Sequence, residues 1–576
     1  MRSAKLALVA MLGGVAAAGA QQRDTVSDRT GLPRDVAREA ARQFNDTAAL
    51  RSTEPVEIAD DRVVAGDVAV LNGPLVIGGR VHGRVVAINS DVVLKSTARV
   101  DGDLLVVGGQ VEGRHAGFVG GEIRVYRQTL QYRQDGDRIL PVSTATTMRD
   151  EGGWWRRWER SRQRNGSRIQ IANAGAYNRI EGLPIKIGPQ IFWNDSWGSA
   201  RLDAYGVVRT ETSFEPDQDD IGHNINAEVK LGRRGGLLLG GQLFNEVDPT
   251  ATWQLSDLEA ALSSFLFRRD YRDYYNRHGA RAIAGGFVRR GAEVFLSYGF
   301  ERWGVREAQN PFTLFHQRAG WRPNPLFDEG RMHLLGGSLR VDTRNDDNNP
   351  WSGWYVLADL ENGRGDITAY GPRALPIGQP SPPRIQYTRG FLDFRRYNRV
   401  SPDAQLNFRV VAGGWLNGDP LPLQRRFAVD GPGSLPGYDF RALETAPLLT
   451  CVNDGFVSGM PGQCDRMLLG SMEYRGMLHL DLFTDWTEDH YMLSNLGGVW
   501  VAFVDAGRGW LVGPPTNAIT FKSDALPPLS SFLADVGLGF ELDAFGILDS
   551  FGVYVAKSIS QPNESAHFFM RIRHRF

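Results

Sequence analysis

Few residues in this chain have the types and spacing that chemistry requires, and those few point away from catalysis. Cys451 and Cys464 are its only cysteines, close together in a segment containing Gly and Pro. A lone pair cannot supply the four ligands of a structural zinc site, and no histidine sits nearby. A local disulfide in an exported loop is therefore expected. Ser434 lies among glycines, but its flanks read Pro432-Gly433-Ser434-Leu435-Pro436, not the Gly-x-Ser-x-Gly of a nucleophile elbow. There is no His-Glu-x-x-His pair and no Gly-rich loop leading into Lys-Ser/Thr. His82 and His115 stand isolated on Val- and Gly-rich stretches, where a histidine is ordinarily a surface or turn residue. Trp154, Trp155 and Trp158 among Arg156, Arg157, Arg160, Arg162 and Arg164 have the groups that stack bases and neutralise phosphate. They suit a membrane surface better, with Trp at headgroup level and Arg on lipid phosphates, or a solvated linker. No enzyme, cofactor or metal is expected.

Composition agrees that nucleic acid is a poor partner, since 65 basic residues face 66 acidic ones among 576. The 67 glycines and ten per cent aromatics suit a turn-rich, strand-rich chain. At the N-terminus Arg2 and Lys5 precede an apolar run from Leu6 to Ala18, and Ala18-Gly19-Ala20 follows. This is the three-part pattern of a secretory signal peptide, too short to span a bilayer as a helix, which needs about 20 residues. No later uncharged run reaches that length. A membrane-crossing mature protein would have to cross as a closed barrel.

Along the mature chain, residues 21–55 are polar, with a short helix expected around Pro33 to Phe44. Between about Val56 and residue 127 short Val/Ile/Leu runs are cut by Gly. The triplets Val64-Ala65-Gly66, Val81-His82-Gly83 and Val100-Asp101-Gly102 recur at spacings of 17 and 19 residues. A strand-and-turn repeat this short predicts a small parallel β-helix, whose coils bury Val and Ile only by stacking. Residues 128–168 read as a connector. From Ile169 to Phe576, alternating segments are separated by Gly/Pro/Asp/Asn loops. In "WYVLADLE" Trp354, Val356, Ala358 and Leu360 oppose Tyr355, Leu357, Asp359 and Glu361; in "AQLNFRVV" Gln405, Asn407 and Arg409 share one face; in "MLLGSMEYR" Glu473 and Arg475 do. Apolar outside and charged inside is the inverse of a soluble protein and predicts a transmembrane antiparallel β-barrel of about 16 strands. The chain closes on "HFFMRIRHRF": Phe568, Met570, Ile572 and Phe576 are expected to face lipid and Arg571, Arg573 and Arg575 the lumen. This closing strand is expected to pair with the first, near Ile169 to Ala176.

Several landmarks then carry a resemblance: "YNRIEGLPIKIG" from Tyr177, "DTRNDDNNPWSGWYVLADLE" from Asp342, "RRFAVDGPGSLPGYDFRAL" from Arg425, and "VAFVDAGRGW" from Val501. Over roughly the last 400 residues the chain resembles the bacterial surface antigen superfamily, the BamA/TamA-like outer-membrane barrels. The Gly-rich repeat resembles the bactofilin-like, polymer-forming solenoids in texture. On its own residues the Asp342 element reads as a turn: Asp342, Thr343 and Arg344 end one strand, and Pro350 to Gly353 begin the next. The first resemblance implies that Gly431, Gly433, Ser434, Leu435, Pro436, Gly437 and Tyr438 lie at the tip of a long loop folded back into the lumen. In that family an arginine at the tip pairs with acidic groups of the inner wall; here Pro436 stands in its place, leaving Arg441 or Arg426 to bring the charge. Residues 22–168 lack the POTRA modules with which such proteins capture clients.

Two functions fit these features. One is assistance to the insertion or passage of a polypeptide or lipid-linked substrate, through a labile closure between the first and last strands. The other is a passive pore or an envelope anchor. Expected partners are outer-membrane lipid, unfolded outer-membrane or secreted polypeptides, and, through the solenoid, an envelope component or a second copy. The solenoid is expected in the periplasm.

Overall fold

The computed structural model describes residues 26–141 and 165–572, apart from breaks of five residues or fewer and the segments 211–220, 370–383, 442–450, 452–461, 479–497, 513–525 and 543–550. The segment expected to be a signal peptide, His115, the Trp/Arg cluster from Trp154 to Arg164, and Arg573, Arg575 and Phe576 lie outside the described residues.

The Val and Ile runs form a parallel solenoid with three faces. One face is six-stranded, from Leu50–Ser52 through Val68–Leu71, Val85–Ile88 and Leu104–Val107 to Ile123–Tyr126, with Val26–Arg29 added beyond the last coil. The other two are four-stranded. The glycine-linked triplets stack in register, Val64 on Val81, Val81 on Val100, and Val100 on Val119. They line an interior of Val, Ile and Leu side chains that is essentially dry. The predicted helix exists as α1 (Arg34–Phe44). It is more than a linker element, because Val36, Ala40, Ala41 and Phe44 pack on Leu71, Ile88, Leu105 and Val107 of the six-stranded face. The Glu39 carboxylate takes a forked bond from Arg124 (2.6 and 3.0 Å) that holds α1 across the coils.

The rest of the described chain is one antiparallel sheet of sixteen strands in sequence order. They are β1 (Gly166–Asn173), β2 (Ile185–Asp195), β3 (Gly198–Val208), β4 (Ile221–Leu231), β5 (Leu237–Pro249), β6 (Tyr274–Arg289), β7 (Ala292–Gly304), β8 (Glu329–Asp342), β9 (Gly353–Ala369), β10 (Arg384–Ser401), β11 (Ala404–Gly418), β12 (Arg466–Leu478), β13 (Gly498–Trp510), β14 (Leu533–Leu542), β15 (Phe551–Ser558) and β16 (His567–Ile572). The alternation decides which side is which. Leu296, Leu335, Leu360 and Leu538 are each more than half exposed, while Asp203, Glu301, Asp393, Glu473 and Asp505 are buried. Water would penalise both choices, and a bilayer around a polar lumen favours both. Among the described residues no helix is long and apolar enough to cross a membrane.

Two features depart from the expectation. The lumen is not wet throughout: Trp415, Tyr387, Met332, Leu334, Val411 and Leu469 of the wall form a continuous apolar cluster with Leu421, Leu423, Phe427, Val429 and Leu435 of the connection after β11. Those loop residues are apolar because the loop has an interior to fill. The second departure concerns closure. The sheet runs from β1 to β16 with no ladder joining the two among the described residues, so the expected pairing near Ile169 to Ala176 is not found there.

Candidate functional site: the in-folded loop and the barrel seam

The connection from β11 to β12 enters the lumen through a short 3-10 turn at Leu423–Arg425 and reaches its tip at Gly431–Tyr438. Two tight turns shape the tip, with Ser434 N–H donating to Gly431 O and Tyr438 N–H to Leu435 O, both at 3.1 Å. Gly431 has a φ of 78°, a conformation that side chains with a Cβ resist. The Ser434 hydroxyl donates to Asp430 O (2.9 Å) and so serves the turn.

Close approach explains two of the glycines. A Cβ on Gly433 would lie 2.5 Å from the Gln254 main-chain oxygen, and one on Gly437 would lie 2.5 Å from the Asp535 Cβ. Gly437 N–H donates to the Asp535 carboxylate (2.6 Å), Tyr438 O–H to Ala534 O (3.2 Å), and Ser558 O–H to the Tyr438 hydroxyl (2.8 Å). The tip therefore docks on β14 and β15, with Leu435 and Tyr438 buried. Beside Pro436, the Asp535 carboxylate on the wall accepts a main-chain N–H. Arg441 turns elsewhere, to Asp430 (3.3 Å) and Asp273 (3.2 Å). Arg426 donates to Leu421 O (2.9 Å) and lies 3.8 Å from Asp465.

Cys451 and Cys464 are bonded (S–S 2.05 Å). Cys464 also exchanges both main-chain hydrogen bonds with Phe427 at 3.0 Å, which fasten the returning limb of the loop to its entry limb, and the disulfide ties Cys451 to the same point. At the opposite end of the barrel, Asp342 accepts from Arg340 and Arg344 at 2.9 Å. Thr343 and Trp354 exchange main-chain and hydroxyl bonds at 2.9 Å, and Gly353 has a φ of 116° where a Cβ would strike Thr343 O at 2.5 Å. Pro350 is buried beside this turn. These residues build a β8–β9 turn remote from the loop tip.

Three groups not singled out in the sequence organise the site. The connection between β5 and β6 carries α2 (Asp257–Phe267), opened by a capping box between Ser256 and Glu259. Gln254, just before it, donates to Ala428 O (3.0 Å) in the in-folded loop. Asp273, at the end of the same connection, receives arginines from three others: Arg179 (3.3 Å), Arg322 (2.5 Å) and Arg441 (3.2 Å). Arg179 sits in the quoted "YNRIEG" and is fully buried, also 2.9 Å from Asp270. Only the Ser-x-x-Glu spacing of the capping box was legible locally.

At the seam, β1 is exposed along most of its length. Phe568 and Met570 of β16 face outward, 77 % and 48 % exposed, whereas Ile572, expected to face lipid, is covered. Arg571 points inward to Glu259.

A family model described as the Omp85 superfamily domain matches residues 328–544. No curated protein matches the chain. Among solved structures, BamA from Haemophilus ducreyi lacking POTRA domains 1-3 is 14 % identical, with 71 % of each chain covered and a TM-score of 0.40. CdiB from Acinetobacter baumannii is 12 % identical, covering 71 % of this chain and 66 % of that one, with a TM-score of 0.31. CdiB from Escherichia coli is 11 % identical, covering 78 % and 68 %, with a TM-score of 0.32. The span that matches the Omp85 superfamily domain, residues 328–544, takes in strands β8 to β14 with both the Asp342–Gly353 turn and the in-folded loop.

Proposed function

We propose that this protein helps polypeptides into or across the outer membrane, without enzymatic chemistry, by separating its first and last strands while the in-folded loop keeps the lumen closed to free diffusion. The observation that carries the reading is the combination of a lumen packed by the β11–β12 loop with a β1–β16 boundary that no described ladder seals. A passive pore has the opposite design, a sealed wall around an open path. An unpaired strand edge offers main-chain groups to an incoming extended segment.

The solenoid takes the N-terminal place that POTRA modules take in the family, and we assign it to the periplasm, at the end of the barrel where β1 begins. Its role is docking to an envelope partner or to a second copy, because its six-stranded face ends on the edge strand Leu50–Ser52, where a further coil can stack.

Depletion in the native cell tests the reading. A fall in the outer-membrane levels of other barrels or of a secreted polypeptide supports it. Unchanged levels, with purified protein giving stable large channels in planar bilayers, would favour the pore.

A further inference from the structure

Among the described residues no ladder joins β1 to β16, yet one element touches both sides of this seam. At the N-terminal turn of α2 the Glu259 carboxylate is shared. One oxygen, Oε2, closes the capping box, accepting from the Ser256 N–H (3.1 Å) and hydroxyl (2.9 Å). The other, Oε1, accepts from Arg571 Nε and from the main-chain N–H of Ile572 (3.1 Å), both on β16. Arg571 also donates to Pro432 O (3.4 Å) at the in-folded tip. Glu259 and Arg571 are both buried.

At the C-terminal turn of α2, Phe265 packs edge-on against Tyr177 of the β1–β2 connection, ring centroids 5.4 Å apart. Main-chain bonds from Leu314 to Phe265 O (2.9 Å) and Phe315 to Leu266 O (3.0 Å) fix this end to the connection before β8. The Tyr177 hydroxyl donates to Phe312 O in the same connection.

We infer that α2 is an internal clasp across the seam, and that Glu259 is the positioning residue through which it holds the closing strand. A buried carboxylate shared between a helix cap and a strand makes the two conditions one: β16 is held while the first turn of α2 is intact. Displacing α2 removes the acceptor of Arg571 and Ile572 together and leaves β16 held by its ladder to β15, with its outer edge released toward the seam. The inference rests on the seam-opening part of the proposed function and adds the group that controls it.

The test is hydrogen–deuterium exchange of the full-length protein in nanodiscs, read on peptides covering 567–572 and, as reference, β8 to β12. Glu259→Gln preserves the capping box, which accepts Gln at that position, and removes the charge facing Arg571. Loss of a charge-assisted buried contact is expected to raise exchange in β16 by about ten- to a hundred-fold, with β8 to β12 unchanged. Arg571→Lys, which keeps the charge but loses the fork, is expected to fold and give a smaller rise, so the inference remains testable if Glu259→Gln does not assemble. Wild-type exchange over 567–572 in both variants, or an equal rise in every strand, overturns the clasp. A rise confined to β16 in a variant whose cells show unaltered envelope proteins would leave the clasp standing and remove the assembly reading.

Discussion

Gly437→Ala is the sharpest perturbation of the docked loop. The added methyl would sit 2.5 Å from the Asp535 Cβ and 2.9 Å from both the Asp535 carboxylate and the Lys557 main chain. The Asp535 Cβ and the Lys557 main chain cannot retreat, since both residues lie in the paired β14–β15 ladder. The tip must withdraw instead, losing the Gly437–Asp535 bond and the two bonds of Tyr438. A hydrogen bond to a charged group contributes about 1.5–3 kcal/mol and a neutral one about 0.5–1.5 kcal/mol. The summed loss is therefore roughly 2.5–6 kcal/mol, and the undocked fraction should rise by roughly two to four powers of ten. The assay is thiol labelling with a membrane-impermeant reagent at Ser434→Cys, a buried tip position, the two native cysteines being bonded to each other. Labelling should be slow in the otherwise wild-type protein and fast with Gly437→Ala, with single-channel openings appearing in bilayers. If the introduced thiol stays protected in a folded Gly437→Ala barrel, docking does not depend on close approach at Gly437 and the reasoning fails.

Three other outcomes follow from the geometry. Asp273→Ala takes the shared carboxylate from three buried arginines, leaving Arg179 on Asp270 and Arg441 on Asp430, and should cost about 3–5 kcal/mol, read as an earlier transition in the heat-modifiable mobility of the barrel; an unchanged midpoint would contradict the hub. Reduction, or Cys451→Ser with Cys464→Ser, opens a 13-residue separation and should loosen the loop locally by up to about 3 kcal/mol, seen as faster exchange around Phe427 and Asp465 with the β-ladders unaffected. Leu104→Ala empties a fully buried solenoid position and should cost about 2–5 kcal/mol, unfolding the solenoid by circular dichroism at lower temperature while the heat-modifiable band of the barrel persists.

What could be read in advance was whatever repeats locally. The Val64, Val81 and Val100 triplets mark not only a solenoid but its register, because each coil presents the same residue at the same corner. Alternation in the segments around Trp354 and Glu473 told the inside of the wall from the outside for the same reason, whereas in the segment around Asn407 Ala404 and Phe408, expected to face out, are buried as Asn407 and Arg409 are. The contacts that organise the site have no such period. Asp273 gathers arginines from positions 179, 322 and 441, and nothing near it in sequence predicts any of them. Glu259 stands in a visible Ser-x-x-Glu pattern, yet its second role depends on Arg571, more than half the chain away. The strand Val26–Arg29 joins Ile123–Tyr126, a pairing that no local pattern announces. Pro436 left Arg441 or Arg426 to bring charge to the tip; that Arg441 turns to Asp430 and Asp273, while the Gly437 N–H meets Asp535, required the packing.

The Asp273 hub has a consequence for how this protein can change over generations. Surface connections of a barrel are ordinarily the parts where insertions and substitutions accumulate at little cost. Here four of them, carrying Arg179, Asp273, Arg322 and Arg441, converge on a single buried carboxylate. A length change in any one shifts the partner of the other three. Diversification at this end should come as concerted replacement of the whole set, while connections outside it, such as the tight β2–β3 turn at Ser196 and Trp197, remain free to vary one at a time.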